Sequence, residues 1–307
     1  MEKCIKEYVE QYLNARLLQR KLDEKTIRAY RIDLLQFIEE LGPVCLPEVS
    51  SEQIEAYAVK LHGKYKPKTV KRKIASVSGF FRYLERKREI PVNPMYNAEI
   101  QFKPPALLPK TVPLYSLECI LKKMYGQKLE GRTPYRRRNA VRDIAVLELL
   151  FATGIRISEL CGLNSSDVDL RDGVVLIYGK GDKQRRLQIT NASVLQALRD
   201  YSEEFHKEIE TCGVFFVNQS GRAFSDQCVR RMLRIYTGMC EPGLRITPHM
   251  VRHTFASSLL EADVDIRIIQ ELLGHTSIST TQIYTHVAMS KQRNVLSLKH
   301  PRNSFHV

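Results

Sequence analysis

Apolar side chains recur at helical spacing through most of the first hundred positions. In residues 24–41, Ile27, Tyr30, Leu34, Phe37, Ile38 and Leu41 fall on one stripe of a 3.6-residue period, which predicts an amphipathic helix. Asp23 is placed to cap its start and Gly42-Pro43 to end it. Ser50 and Gln53 form a capping-box pair, so another helix opens there and runs to near Gly63. A further stripe of Val70, Ile74, Val77, Phe81 and Leu84 predicts a helix from about Lys68 to Arg88. With the opening residues, the region reads as a small bundle of four helices.

The pattern breaks at 101–113, QFKPPALLPKTVP, where four prolines and no glycine mark a stiff connection. The expected organisation is therefore a helical domain at 1–103, a linker at 104–113 and a second domain at 114–307. In the second domain, helices are expected at 139–151 (ending at Gly154), about 156–161, after Asn191, and at about 226–238, 248–262, 265–273 and 277–287. Between them, GVVLIYGKGDKQRRLQIT (173–190) alternates and turns at Gly179-Lys180-Gly181-Asp182, a hairpin signature. VFFV at 214–217 is expected as a short strand able to pair with that hairpin. The fold class that follows is mainly α with a small antiparallel β-sheet.

Length and composition narrow the setting. The 307 residues, 43% hydrophobic and 27% charged, suit roughly two soluble domains. No apolar run approaches the roughly 18 residues of a membrane span, and MEKCIKEYVEQ lacks the apolar core of a signal peptide, so a cytoplasmic protein is expected. The seven cysteines are scattered without C-x-x-C spacing, which favours reduced thiols over a thiolate zinc site. The net charge of +14 points to a polyanionic partner. From Lys60 to Arg88 eleven Lys/Arg face one acid, Glu85, whereas an idle solvated face usually mixes signs. Lys66, Lys68, Lys71, Arg72 and Lys73 are candidate phosphate contacts there, and Arg230, Arg231 and Arg234 on the helix at 226–238.

The densest chemistry lies in PHMVRHTF (248–255). His249 and His253 have metal-ligand spacing, and Glu271 could supply a third ligand. However, Met250 stands where a metalloprotease helix has its glutamate, and Arg252 would set a cation beside the metal. The acid pairs Asp167/Asp169 and Asp263/Asp265 could hold magnesium, but their turn and helix-start positions favour capping of backbone N–H groups. Thus no metal and no cofactor is expected. The phosphate reading is stronger. Thr247-Pro248 is a good helix start, which places His249 and Arg252 in an amide-rich first turn suited to an anion. Arg156 opens a helix after a glycine turn, Lys180 sits at a hairpin tip, His275 follows the helix-ending Gly274, and Tyr284 lies on a helix beyond. Taken singly, each of these has an ordinary structural explanation.

The ordered set of Arg156, Lys180, His249-x-x-Arg252, His275 and Tyr284 resembles the tyrosine recombinase (phage integrase) family, in its Xer-like branch. ATGIRISELCGL, YGKGDKQRRL, TPHMVRHTFASSLL and LLGHTSISTTQIYTH carry the likeness, and LDEKTIRAYRIDLLQFIEEL resembles the family's N-terminal core-binding domain. The resemblance implies a two-domain, C-shaped clamp on double-stranded DNA carrying a specific recombination site. It implies Tyr284 as nucleophile, forming a 3′-phosphotyrosyl link, and strand exchange through a Holliday junction without metal or ATP. Arg156, Arg252 and His275 would stabilise the phosphorane-like charge, His249 would assist or position, and Lys180 would protonate the leaving 5′-oxygen. A homotetramer, or a heterotetramer with a related recombinase, is implied, with a tail from about residue 288 packing on a neighbour. The alternatives are a DNA-binding regulator that has lost cleavage, a relaxing topoisomerase sharing the chemistry, and a metallohydrolase. One departure is 125–142, YGQKLEGRTPYRRRNAVR, which is longer and more basic than the family's usual connection and reads as a loop, either DNA-contacting or disordered.

Overall fold

The computed structural model describes residues 5–20, 24–43, 45–100, 110–179 and 184–274. The chain divides into two compact units, Met1–Leu107 and Leu108–Val307.

The first unit contains α1 (Ile5–Arg20), α2 (Glu24–Leu41), α3 (Ser51–Lys64) and α4 (Pro67–Arg86). Its helix starts follow from local chemistry. Ser50 and Gln53 form the expected capping box, and Pro67 occupies the first turn of α4, where a missing N–H costs nothing. Val9, Leu13, Leu34, Phe37, Ile54, Val70, Val77, Phe81 and Leu84 meet in one core, with the rings of Phe37 and Phe81 edge-to-face at 5.8 Å.

Burial corrects one expectation about the basic face of α4. Lys73 is 3% exposed, and its ammonium donates to Asp33 at 2.9 Å and to Gln36, so it is an internal ion pair and no phosphate contact. The fully buried Asp33 of α2 sets this inward turn, since a buried carboxylate needs a cation. Arg72 also reaches Asp33, but from the surface. Lys66, Lys68 and Lys71 remain exposed.

The second unit is built around α6 (Pro134–Thr153), whose Ala140, Ile144, Ala145, Val146, Leu147, Leu149 and Leu150 are all buried. The first turns of α6 are basic and exposed, but from Ala140 onward most side chains are buried, which places that half at the centre of the unit. Packed on α6 are α5 (Leu114–Glu130), α8 (Ala192–Glu204) and α11 (Pro248–Glu261). The short α7 (Ile157–Cys161) follows α6, α9 (His206–Cys212) follows α8, and α10 (Asp226–Cys240) and α12 (Ile266–Leu273) precede and follow α11. Within this unit β1 (Val168–Asp169), β2 (Val174–Tyr178) and β3 (Gln184–Gln188) form an antiparallel sheet in that order. Val175 pairs with Leu187 and Ile177 with Arg185, which puts those four side chains on the inner face.

Two further expectations change here. VFFV is no third strand of the hairpin; Val214 bridges Asn164 and Val217 bridges Ala223, while β1 takes the sheet position beside β2. Phe215, Phe216 and Val217 are all buried, and the Tyr201 hydroxyl donates to the carbonyl of Phe215 and accepts from the amide of Val217, both at 2.9 Å. Segment 125–142 is no loop. It completes α5 to Glu130 and, after a short turn, opens α6 at Pro134 with Thr133 as cap. There Arg138 is held by Glu204 and Glu208, and buried Arg142 by Asp143.

No helix among the described residues is long and apolar enough to cross a membrane.

Candidate active site

Four helix ends in the second unit create the site. Gly154 closes α6 in the left-handed conformation, φ +60°, and its N–H bonds back to Leu150. Arg156 follows at the N-cap of α7, where the Glu159 carboxylate accepts from its backbone N–H at 2.8 Å. Thr247 caps α11 through Met250 N–H, with Pro248 in the first turn. Gly274 closes α12 at φ +64°. The glycines are required, because a Cβ on Gly154 would meet Phe255 and Leu273, and one on Gly274 would meet the Arg185 guanidinium at 2.8 Å.

The arginines converge on the carboxyl end of α12. Arg252 is 6% exposed and donates through Nη1 to the Gly154 carbonyl at 2.6 Å and through Nη2 to the Leu273 carbonyl at 2.8 Å. Arg156 donates through Nη2 to the Gly274 carbonyl at 3.1 Å and through Nη1 to Glu159 at 2.8 Å. Arg185 donates through Nε to the Leu272 carbonyl at 3.0 Å. Three consecutive carbonyls thus each accept from a different guanidinium. A helix C-terminus carries unsatisfied carbonyls and partial negative charge, so it holds cations without cancelling them.

His249 stands in the first turn of α11, exposed at this cluster. Partial desolvation pushes its imidazole below the usual range, and Arg230, Arg252 and Arg156 push it further against the weaker pull of Asp226. The neutral form is therefore favoured at neutral pH. Arg230, on the exposed basic face of α10, is one of the cations that lower the imidazole, and α10 packs on both α7 and α11. His253, one turn on, is half-buried and is likewise lowered by burial, His249 and Arg252.

Of the six candidate catalytic residues, the structure gathers Arg156, His249 and Arg252, while Lys180, His275 and Tyr284 lie outside the described residues. In the chain, β2 ends two residues before Lys180, β3 begins four residues after it, and His275 directly follows Gly274. Sequence reasoning missed Glu159 and Arg185. Glu159 stands three residues after the N-cap, the position of a capping glutamate, and Arg185 alternates with Leu187 on the inner face of β3. Either pattern marks a residue turned inward.

Three of the four paired acids serve the backbone. Asp167 accepts from Asn164 N–H, Asp169 from the amides of Arg171 and Asp172, and Asp265 from Arg267 N–H. Among the described residues no three His, Cys, Asp or Glu side chains gather as metal ligands would.

Comparison with known proteins identifies the family. The sequence profile of the phage integrase family matches residues 128–291, and that of the phage integrase N-terminal SAM-like domain matches residues 9–88. A protein of Agathobacter rectalis named tyrosine recombinase is 56% identical over 299 residues, covering 97% of this chain and 98% of that protein. The chain belongs to the phage integrase family of tyrosine recombinases. Tyrosine recombinase XerC of Thermodesulfovibrio yellowstonii is 36% identical over 96% of both chains, so the Xer-like likeness extends end to end. Among solved structures, XerH bound to a palindromic difH substrate has a TM-score of 0.75 at 22% identity, covering 96% of this chain and 85% of that one. A lambda integrase tetramer on a Holliday junction has a TM-score of 0.67 at 18% identity, covering 91% and 76%. At those identities the likeness is one of fold. This tyrosine recombinase is thus an enzyme of DNA strand transfer.

Proposed function

We propose that the chain is a site-specific recombinase that cuts and rejoins duplex DNA through Tyr284. The phenolic oxygen attacks the scissile phosphorus, the bond to the 5′-oxygen breaks, and a 3′-phosphotyrosyl link forms. Attack by the 5′-hydroxyl of another strand reverses the step and yields a Holliday junction. The phosphodiester energy stays in the protein link, so no ATP is consumed.

Arg156 and Arg252 neutralise charge on the non-bridging oxygens as fixed donors, which is the task a metal ion performs elsewhere. His275, next in the chain after Gly274, joins them. His249, held neutral, can take or orient the tyrosine proton, and Lys180 gives a proton to the leaving 5′-oxygen. The observation that carries the reading is the convergence of Arg156 and Arg252 on adjacent carbonyls at the end of α12, with His249 beside them.

The protein is proposed to act in the cytoplasm, as a tetramer, alone or with a related recombinase, on a specific duplex site. Lys66, Lys68, Lys71 and Arg72 on the first unit, and Arg230, Arg231 and Arg234 on α10, contribute phosphate contacts, so affinity falls steeply with salt. The test begins by selecting a binding site from a random duplex library. A nicked suicide duplex carrying that site should give a covalent protein–DNA adduct in EDTA, and Tyr284→Phe should give none. An adduct with the Phe variant, or a strict magnesium requirement, refutes the proposal.

A further inference from the structure

Resting on that reading, the geometry points to Arg185 as a positioning residue that holds the active site together without touching DNA. Its side chain is 11% exposed and uses all three nitrogens. Nη1 and Nη2 grip the two oxygens of Glu159, at 3.0 and 2.7 Å, while Nε reaches the Leu272 carbonyl at 3.0 Å. The same two oxygens of Glu159 accept from the Arg156 side chain and backbone, both at 2.8 Å. Glu159 is thus clamped between two guanidiniums. Burial pushes its carboxyl up, but the hydrogen bonds and charge of Arg185 and the bonds from Arg156 outweigh this and leave it below its usual range.

The consequence is a three-way tie. Arg185 lies on β3, five residues after Lys180 in the chain. Its Nε bond holds the end of α12 two residues before Gly274, after which His275 follows. Its guanidinium packs so closely on Gly274 that a Cβ there would lie 2.8 Å from Nη1. Through Glu159 it also sets the aim of Arg156. One buried side chain therefore relates the lead-in to Lys180, the lead-in to His275 and the direction of Arg156. Lysine cannot do this, because an ammonium lacks the planar fork that serves a carboxylate and a carbonyl together. Glu159 alone would bind Arg156 more fully and draw it back from a phosphate; the second guanidinium shares that carboxylate and leaves the cluster net positive.

The test measures adduct formation under single turnover on the nicked suicide duplex, alongside equilibrium binding to the uncut site and a thermal melt. Arg185→Gln should slow cleavage about 100-fold with binding within about threefold of the original protein. Arg185→Lys should recover about tenfold of that loss at most. In an Arg156→Lys background, Arg185→Gln should cost about tenfold rather than 100-fold, because the part of its effect that passes through Arg156 is already lost while its hold on β3 and the end of α12 is not. Cleavage by Arg185→Gln at the original rate overturns the proposal. So does a full 100-fold loss in the Arg156→Lys background, or parallel loss of binding and cleavage. Should the Gln variant melt early, Arg185→Lys decides: cleavage at the original rate overturns the proposal, and slow cleavage with intact binding sustains it. Failure of the unaltered protein to form an adduct refutes the recombinase reading itself, and this inference with it.

Discussion

Gly154 lets the site be perturbed by a single methyl group. Two costs add when it becomes alanine. The left-handed φ of +60° disfavours any side chain, by about 1 kcal/mol for alanine. The new Cβ would also lie 2.9 Å from Phe255 Cε1 and 3.0 Å from Leu273 Cδ2. Phe255 is half-buried and can swing, but Leu273 is fully buried and cannot give way freely. Overpacking of this kind costs about 1–3 kcal/mol. The sum is about 2–4 kcal/mol, which for a unit of this size lowers the melting temperature by roughly 5–15 °C. Gly213 supplies the control. It ends α9 at φ +73°, and a Cβ added there would have nothing within 4 Å, so Gly213→Ala should cost only the roughly 1 kcal/mol of backbone strain. Calorimetry or urea melts of both variants give the difference directly. Because Gly154 accepts from Arg252 Nη1, its variant should also cleave the suicide duplex more slowly than Gly213→Ala at a temperature where both are folded. Equal destabilisation by the two substitutions, or equal cleavage, would refute the claim that the α6 end is packed tightly under the arginine cluster.

The pH dependence of cleavage should show the depressed His249. Since its folded-state value lies below that of a free imidazole, the neutral form survives to lower pH, so the acid limb of the rate profile falls below about 6.5. The same shift contributes stability that is present above the unfolded value and is lost as pH falls through the folded one. Arg230→Gln removes one cation and should move that limb upward; a limb that stays put, in rate profiles or in an NMR titration of the ring, counts against the proximity of α10. On the first unit, Lys73→Ala breaks a buried pair and should cost about 3 kcal/mol of stability, tempered because Arg72 still reaches Asp33. Lys71→Ala should leave stability within about 0.5 kcal/mol and reduce the slope of log affinity against log salt by about 0.9. Urea melts and salt titrations separate the two lysines, and the reverse ranking would contradict the inward placement of Lys73.

What was legible in the chain was whatever is decided within a few residues. Ser50–Gln53, Thr247-Pro248, Gly154 and Gly274 mark helix ends because caps and left-handed glycines satisfy orphan backbone groups locally. The stripe Val70, Ile74, Val77, Phe81 and Leu84 names the buried face of α4 because helical period is also local. Lys73 misled because the charged residues nearest it in the chain, Lys71 and Arg72, are basic, while the acid that draws it inward is forty residues away. Even so, Asp33 lies three residues after Tyr30 and four before Phe37, on the apolar stripe of α2, and an acid there asks for a buried cation. VFFV misled for a related reason: three consecutive buried residues do not alternate, and what covers both faces is tertiary.

The arginine cluster itself was half legible, and the missing half is physical. Motif order names Arg156 and Arg252 but says nothing of what holds two cations side by side. At an effective dielectric of about 20, two like unit charges about 5 Å apart repel by about 3 kcal/mol. One carboxylate per arginine would remove that repulsion and also the attraction for phosphate. The structure uses a different solution, in which a helix end supplies carbonyls to Arg185, Arg252 and Arg156, and a single acid, Glu159, is shared by two of them. Charge-assisted bonds of this kind contribute about 1.5–3 kcal/mol each, enough to offset the repulsion while the cluster keeps its net positive charge. Gly274 is then doubly constrained, by its own φ and by the guanidinium lying against it, and the chain leaving it toward His275 starts from a fixed point. That a short helix such as α12 should end in glycine at this place follows from the electrostatics of the site as much as from the folding of the helix.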